Sequence, residues 1–526
     1  MEEKHVYVSE DHMVEERISK SKKKKKTKKG ATGCFVTALL LFSLSFAALC
    51  AAYFYLDNKG IIPDNLVKWV LIGVGGFVLF EALLLLFARK RIFVSVLSML
   101  ICVAILAASS YGVYTLYKVY ESIEEVEDPK TYYAHVGVYV KKDSEYAPRM
   151  SEPEEEGEEP VEIPGESLSG HTVGTMLLNL DQGYSSRAVN IFRRTNDVTV
   201  NTYEDFGGMI DAFRNGEVDA LIYNEVTMSL FLGDDSDFYE WAVESESIGI
   251  ETENNVKVKT ADVVSEPFIV YVCGLDTDNE DFFRDDWLRC DANIVVCVDP
   301  VHKKILLINT PRDYYVPLKG RSWAMDKLTH AGVYGVDWCM ETLESLYDVE
   351  FSYYVRTNIY SLVKIVDALG GVTVHSDFDF YSEDQIGEGR QFHVGENEVD
   401  GHGALCFIRE RSSFEDGDKQ RGKHQMECIR AIIEKACSPA IIAHFTDVLK
   451  VVTQSVRTNI GQDDINALIK MQLSDMASWT VETLSADGYG SHEPSFAMGG
   501  QELYVVIPYY DTVEEIKSKI REFMAQ

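Results

Sequence analysis

The pattern of apolar and polar positions divides the chain sharply. Residues 1–33 are polar, and three apolar runs follow at about 34–56, 67–88 and 92–119. Each is long enough to cross a bilayer as a helix. A cleavable signal peptide fits badly, because the first run exceeds an h-region and two more spans follow. Beyond residue 120 the pattern shortens. Tyr133–Val140 reads as a strand, and Glu152–Pro160 is too charged and proline-rich to pack, so it reads as an exposed loop. From His171 to about Ile250 strands and helices alternate: strand Val198–Asn201, helix Tyr203–Asn215 stopped near Gly216, strand Val218–Tyr223. This βαβ pattern predicts a small α/β domain. Its piece Asp205–Asn224 resembles half of an extracellular solute-binding domain, although the Asn-Gly turn is required by geometry with or without a ligand.

A boundary falls near Ser265–Pro267. Phe268–Gly274 then reads as a buried strand, and Ile294–Val298 with Ile305–Ile308 as a hairpin around Asp299-Pro300. Helix Val336–Tyr347, strand Phe351–Val355, helix Ile359–Leu369 closed by Gly370-Gly371, and strand Val372–Val374 follow. Ala404–Arg411 reads as a strand, and Asp418 as the cap of a further helix. The expected architecture is α/β: a basic tail (1–33), three transmembrane helices (34–120), a stalk and small accessory α/β domain (121–265), and an α/β domain (266–526) with a central mixed sheet flanked by helices.

Charge sets an expected orientation. Net charge is −34, with the acid concentrated after residue 120, so nucleic acid is repelled and excluded as a partner. The basic run Lys22–Lys29 stands immediately before the first span and suits anionic lipid better than nucleic acid. It shares a side with Arg89-Lys90-Arg91 if all three runs span, and the positive-inside rule makes that side cytoplasmic. Residues 121–526 are then extracellular, and Tyr111, Tyr114, Tyr117 and Tyr120 suit the outer interface. Glu81, inside the second span, marks either a polar pathway or helix–helix packing. The ten cysteines show no CxxC spacing, which predicts no zinc site and no dense disulfide framework, with a single bridge left open.

Two stretches carry candidate chemistry. Asp276, Arg289, Asp291 and Arg312 stand at predicted strand ends, where a sheet delivers side chains into one cleft. Two acids can hold Mg²⁺ while two arginines clamp phosphate oxygens; the same four would also serve as surface salt bridges. In the second stretch, a strand at 404–411 would put Arg409 and Arg411 on one face. Arg421 and Gln425, four apart, share a face of the following helix. Arginines at a strand face and a helix N-terminus make an anion site. Asp418 is a candidate general base, though capping explains it as well. The apolar helices near 336–369 and 426–455 would either wall a lipid groove or be ordinary core.

Gly274-x-Asp276, Arg289-Cys-Asp291-Ala, Thr310-Pro-Arg312-Asp313, Lys327-Leu-Thr-His-Ala, Asp367-Ala-Leu-Gly-Gly-Val372, and Arg409-x-Arg411 with Asp418-x-x-Arg421-x-x-x-Gln425 resemble the LytR-CpsA-Psr family in type and order, over about 265–440. The three spans and extra domain look like its CpsA-type subgroup. The resemblance implies a Gram-positive phosphotransferase that moves a glycopolymer, capsular or of teichoic-acid type, from a polyprenyl-pyrophosphate carrier to peptidoglycan. It implies Asp276 and Asp291 as ligands of Mg²⁺, with Mn²⁺ as an alternative, and Arg289, Arg312, Lys327, Arg409, Arg411, Arg421 and Gln425 on the pyrophosphate. The implied partners are the polyprenyl-linked glycan, the peptidoglycan acceptor, membrane lipid and capsule-synthesis proteins. Three departures stand out: a longer acidic loop between Asp276 and Arg289, Cys290 for the usual serine, and His424 where arginine is common. A polyprenyl-pyrophosphate phosphatase and a non-enzymatic regulator are the rival readings. A DNA-binding regulator is disfavoured, since no helix-turn-helix with a basic face is found.

Overall fold

The computed structural model describes the chain outside residues 1–9, 60–63, 89–90, 125–130, 152–160, 177–181, 233–235, 254–255, 257–260, 276–288, 320–322 and 384–388. The loop expected at Glu152–Pro160 therefore lies outside the described residues. The chain divides into two units, residues 1–124 with 463–476, and residues 125–462 with 477–526.

The first unit contains α1 (Glu10–Lys59), α2 (Asp64–Ala88) and α3 (Ile92–Glu124). Their apolar parts, Thr32–Phe54, Val67–Phe87 and Ile92–Tyr114, have mean hydropathies of 2.3, 2.5 and 2.7 and are long enough to cross a membrane. The polar segment before the first span is helical from Glu10 onward. Large apolar side chains such as Leu40, Leu86 and Phe93 remain exposed, as lipid-facing positions require. Polar side chains join the helices. Ser45 Oγ donates to the Cys102 carbonyl at 3.0 Å, and Ser98 Oγ donates to Glu81 Oε2 at 2.6 Å. Glu81 is fully buried between helices, as the packing reading expects.

In the second unit the accessory domain is built on β1 (Thr131–Lys141), β2 (Thr172–Met176), α4 (Tyr184–Thr195), β3 (Thr199–Tyr203), α5 (Phe206–Asn215), β4 (Ala220–Asn224), α6 (Glu225–Leu232) and β5 (Ala242–Glu253). The sheet order is β3-β2-β4-β1-β5, parallel through β3, β2 and β4 and antiparallel on both sides of β1. Asp205 caps α5 by accepting from Gly208 N–H, and Gly216 ends it at a φ of 77°. Every residue of β4 is buried, as a central strand covered on both faces requires.

The larger sheet contains β6 (Phe268–Leu275), β7 (Cys290–Asp299), β8 (Lys304–Thr310), β9 (Tyr353–Asn358), β10 (Val456–Thr458) and β11 (Thr480–Ser485), in the order β10-β9-β6-β7-β8-β11. It is mixed: β6–β9 and β8–β11 are parallel, the other pairs antiparallel. Its helices are α7 (Val336–Tyr347), α8 (Ile359–Ala368), α9 (Gly401–Arg409), α10 (Gly417–Ala436), α11 (Ile441–Ser455) and α12 (Tyr510–Met524). Side chains alternate across the sheet. Val295, Cys297, Leu306 and Ile308 pack with Cys339, Leu343 and Ile516 of α7 and α12. Ile294, Ile305 and Leu307 pack with Met426 of α10 on the other face. Leu230 of α6 enters the first of these clusters, and Gln182 Nε2 donates to the Tyr334 carbonyl at 2.9 Å. The boundary at Ser265–Pro267 is thus a break in the chain pattern rather than in the packing.

Three expectations need correction. Residues 401–409 form a helix, not the strand expected at 404–411, so Arg409 and Arg411 do not share a strand face. Asp400 caps this helix by accepting from Gly403 N–H at 2.8 Å. Gly401 lets it approach α8, since a Cβ there would lie 2.5 Å from the Val363 carbonyl oxygen. A short, wholly buried apolar run loses the periodicity that separates helix from strand. Asp418 lies inside α10, whose N-cap position is Asp416, so Asp418 is no cap. Finally, α7 and α10 lie on opposite faces of the sheet and α7 is core, so these two do not wall one groove, whereas α8 packs against α11.

Candidate functional site

The site begins at an irregularity in β7. Gly274 of β6 pairs with Ala292, and Leu275 pairs with Cys290, which leaves Asp291 as the extra residue of a β-bulge. Bulges bend a strand and re-aim a side chain, and they favour sites next to active centres. Gly274 is needed opposite it, since a Cβ there would stand 2.8 Å from the Ala292 Cβ. A Cys273–Cys290 disulfide, with Cα atoms 5.7 Å apart, ties the two strands beside the bulge. It is the bridge that the cysteine pattern left open.

The end of β8 supplies the next group. Arg312 Nη1 lies 2.5 Å from Asp291 Oδ2, and its Nε lies 3.7 Å from Asp313 Oδ2. Lys327 Nζ meets Asp313 Oδ1 at 2.9 Å, and Thr329 Oγ1 is 3.4 Å from Asp291 Oδ1. The segment from Lys327 to Ala331 is held from below by the buried Asp326. Its carboxylate takes His330 Nδ1 at 2.8 Å, the Ser495 hydroxyl at 2.8 Å and Ala497 N–H at 2.7 Å. Burial by itself raises the Asp326 pKa; these bonds outweigh it and hold the group below the usual carboxylate value.

The start of α10 closes the arrangement. Gly422 brings it close to β8, since a Cβ there would lie 2.5 Å from Asn309 Nδ2. Arg421 and Gln425, one turn apart, face the same space. A cavity of about 570 Å³ results, lined by Asp291 and Arg312 on one side and by Gly417, Lys419, Arg421 and Gln425 on the helix. Lys419 Nζ pairs with Asp487 Oδ2 at 2.6 Å on the rim.

Four of the expected residues, Asp291, Arg312, Arg421 and Gln425, thus line one cavity. Lys327 stands behind Arg312 through their shared partner Asp313, and Arg289 is half-buried just before β7. Arg409 ends α9 with its guanidinium over the Tyr360 ring, 5.9 Å from the centroid. Arg411 is exposed beyond that helix, and its carbonyl packs against Gly417, which lines the cavity. Asp418 is in the first turn of α10, and Asp276 falls outside the described residues. Thr329, Lys419, Asp487 and the cavity tyrosines Tyr489, Tyr504 and Tyr509 were given no role from sequence. For Thr329 and Lys419 the signal was their place inside quoted motifs; the tyrosines carry none.

His424 is buried between α10 and α9. Its Nδ1 lies 2.9 Å from the Phe407 carbonyl, and its ring stacks on Phe407 with centroids 4.1 Å apart. Burial pushes its pKa down to about 4, so the ring is neutral and does not supply the cation an arginine would. Among the described residues no three His, Cys, Asp or Glu side chains gather around a common point. Asp291 nonetheless suits a hard cation. Among the described residues its Oδ1 has the long Thr329 contact, and Mg²⁺ commonly takes one or two carboxylates with the remaining shell from water and phosphate oxygens.

Comparison with known proteins finds relatives of this chain. The chain is 32% identical over 235 residues to a polyisoprenyl-teichoic acid–peptidoglycan teichoic acid transferase TagU of Bacillus licheniformis, covering 43% of this chain and 73% of that protein. It is 31% identical over 204 residues to the TagU of Enterococcus faecalis, covering 39% of this chain and 65% of that protein. A solved structure described as TagT bound to LIIa-WTA is similar at 25% identity and a TM-score of 0.40, covering 51% of this chain and 95% of its own. The family model described as LytR_cpsA_psr matches residues 238–519, more than half of the chain, and the chain belongs to that family.

Proposed function

We propose that the protein is a membrane-anchored, three-span, CpsA-type transferase that moves a glycopolymer from a polyprenyl-pyrophosphate carrier to peptidoglycan through a phosphodiester link. One observation carries this reading: Arg312, Arg421, Gln425 and the start of α10 converge on the cavity that Asp291 lines. Transfer of a phosphoryl-linked sugar asks the protein chiefly for charge neutralisation and in-line placement. Arginine forks match the oxygens of a pyrophosphate, and a helix N-terminus adds partial positive charge. Arg411, which precedes α10, would extend the clamp, and Arg289 and Lys327, the latter paired with Asp313 beside Arg312, would support it. Mg²⁺, held by Asp291 and Asp276, would supply charge neutralisation on the pyrophosphate oxygens. Val272, Val296, Ile429 and Ile433 on the α10 face are only partly buried and offer the isoprenoid tail an apolar wall. The names of the TagU relatives support the reaction class and favour a teichoic-acid-type polymer.

The acidic body is taken to be outside the cell, as positive-inside charge and the disulfide favour, since such bridges persist in oxidising surroundings. Incubation of the full chain in detergent with a polyprenyl-pyrophosphate glycan, Mg²⁺ and peptidoglycan fragments tests the reading. Mass analysis should find the glycan joined to the fragment through phosphate. Release of free phosphorylated glycan alone would make the protein a phosphatase.

A further inference from the structure

The bulge that carries Asp291 is held from within the core. Asn293, two residues on, is fully buried, and its Nδ2 donates to the Cys290 carbonyl at 2.9 Å. That carbonyl sits where the ladder slips, since Leu275 pairs with Cys290 while Gly274 already pairs with Ala292. A bulge disrupts pairing locally, and a buried backbone carbonyl left without a donor is costly. The other end of the amide is engaged as well. Tyr271 OH donates to Asn293 Oδ1 at 2.7 Å, and Tyr271 is itself fully buried. Tyr271, Asn293 and Cys290 thus form a chain of two hydrogen bonds that crosses from β6 to the start of β7.

Packing alone does not explain an asparagine here. Val295 and Cys297, which follow Asn293 on the same face of β7, are apolar and pack toward α7. An apolar residue at 293 would bury as well and would avoid the desolvation of an amide. What the amide adds is a fixed place for the Cys290 carbonyl. Cys290 is then gripped twice, through its sulfur by Cys273 and through its carbonyl by Asn293, one residue before Asp291. Arg312 holds the Asp291 carboxylate from the cavity side, and this bracket holds its backbone from the core side.

We propose that Tyr271 and Asn293 are positioning residues for Asp291, fixing the bulge so that its carboxylate is presented to a Mg²⁺–pyrophosphate in the cavity; this rests on the reading of Asp291 given above. Neither is among the residues that line the cavity. Groups that orient a metal-binding side chain are worth about ten- to a hundredfold in metal affinity without touching the ion.

The test uses the full chain in detergent micelles, with farnesyl pyrophosphate titrated in Mg²⁺ and again in EDTA. Asn293→Leu should weaken binding about tenfold in Mg²⁺ and less than about twofold in EDTA, where the arginines act alone. Asp291→Asn should show the same split, and the double variant should lose little more than either single one, because the two residues act through one carboxylate. Tyr271→Phe, which keeps its ring in the core, should show a smaller loss of the same kind, and it replaces Asn293→Leu if thermal melts show that variant unfolded. Val295→Ala removes packing on the same face without touching the bracket, so it should lower the melt and keep the Mg²⁺ effect. Equal losses in Mg²⁺ and EDTA, additive losses in the double variant, or a Val295→Ala loss like that of Asn293→Leu would each overturn the proposal. If wild type bound equally well in Mg²⁺ and EDTA, the metal reading of Asp291 would fall. Hydrogen exchange at the amides of residues 290–293 would then decide for the bracket: faster exchange in Asn293→Leu keeps it, and unchanged exchange removes it.

Discussion

Arg312 Nη1 lies 2.5 Å from Asp291 Oδ2, joining the end of one strand to the bulge of its neighbour. The two groups are 24% and 23% exposed, so the pair is neither fully dry nor freely solvated. It keeps Asp291 beside the cavity through Oδ2, while Oδ1 stands 3.4 Å from Thr329 Oγ1. Asp291→Asn preserves shape and a hydrogen bond to Arg312 but removes the charge. It should lower turnover at least about a hundredfold, as loss of a group acting on transition-state charge does, with little change in the melt. Product formation measured beside a thermal melt checks this, and near-normal turnover would remove Asp291 from the metal role.

Arginines that line the cavity should differ from one that does not. Arg421→Lys keeps charge but loses the planar fork, and should weaken farnesyl pyrophosphate by about 1.5–3 kcal/mol, ten- to a hundredfold. Arg409→Lys, at a side chain whose guanidinium lies over the Tyr360 ring, should cost far less affinity. Titration of both variants decides between them; equal losses would extend the pyrophosphate site to the end of α9.

The Cys273–Cys290 bridge closes a separation of 17 residues that includes Asp276 and the acidic loop. Loop-closure entropy puts its contribution at about 3 kcal/mol. Cys339 Sγ lies 3.6 Å from Cys290 Sγ, so Cys273→Ser should be made together with Cys339→Ala to prevent a replacement bridge. That variant should melt lower than Cys339→Ala alone, and reductant should lower the wild type but not the double variant. Identical melts with and without reductant would remove the bridge from the stability of this domain.

His424 makes stability pH-dependent. Its folded pKa, about 4, lies below the ordinary 6.5, so between those values the unfolded chain takes up a proton that the folded chain does not. Stability from this group is therefore complete above about pH 6.5 and falls as pH drops toward 4, by roughly 3 kcal/mol in all. His424→Gln should flatten that part of the denaturation-versus-pH curve; an unchanged slope would assign the acid sensitivity elsewhere.

Orientation is tested by fusion. A reporter enzyme active only in the cytoplasm, joined after Gln526, should be silent, and one active only outside should work. The reverse pattern would place the cavity in the cytoplasm and end the peptidoglycan reading.

Much of this molecule is legible in its sequence. Unbroken apolar runs yield the three spans, because hydrocarbon tolerates little else at that length. The hairpin of β7 and β8, helix Val336–Tyr347 and the α5–β4 turn at Gly216 follow from alternation, helical period and local caps, all of which act within a few residues. The one-turn spacing of Arg421 and Gln425 likewise set their shared face.

Tertiary structure decided the rest. Whether residues 401–409 coil or extend turned on Gly401 and Gly403 packing against distant chain, which overrode a run whose burial had erased its period. The bulge that turns Asp291 out depends on register between β6 and β7, and no residue in β7 specifies that register alone. The last hairpin joins the arginines because Val506 N–H donates to the Asp313 carbonyl across nearly two hundred residues of chain. Local preference writes elements into a sequence; the cavity, made by strand order and long-range hydrogen bonds, exists only once they are packed.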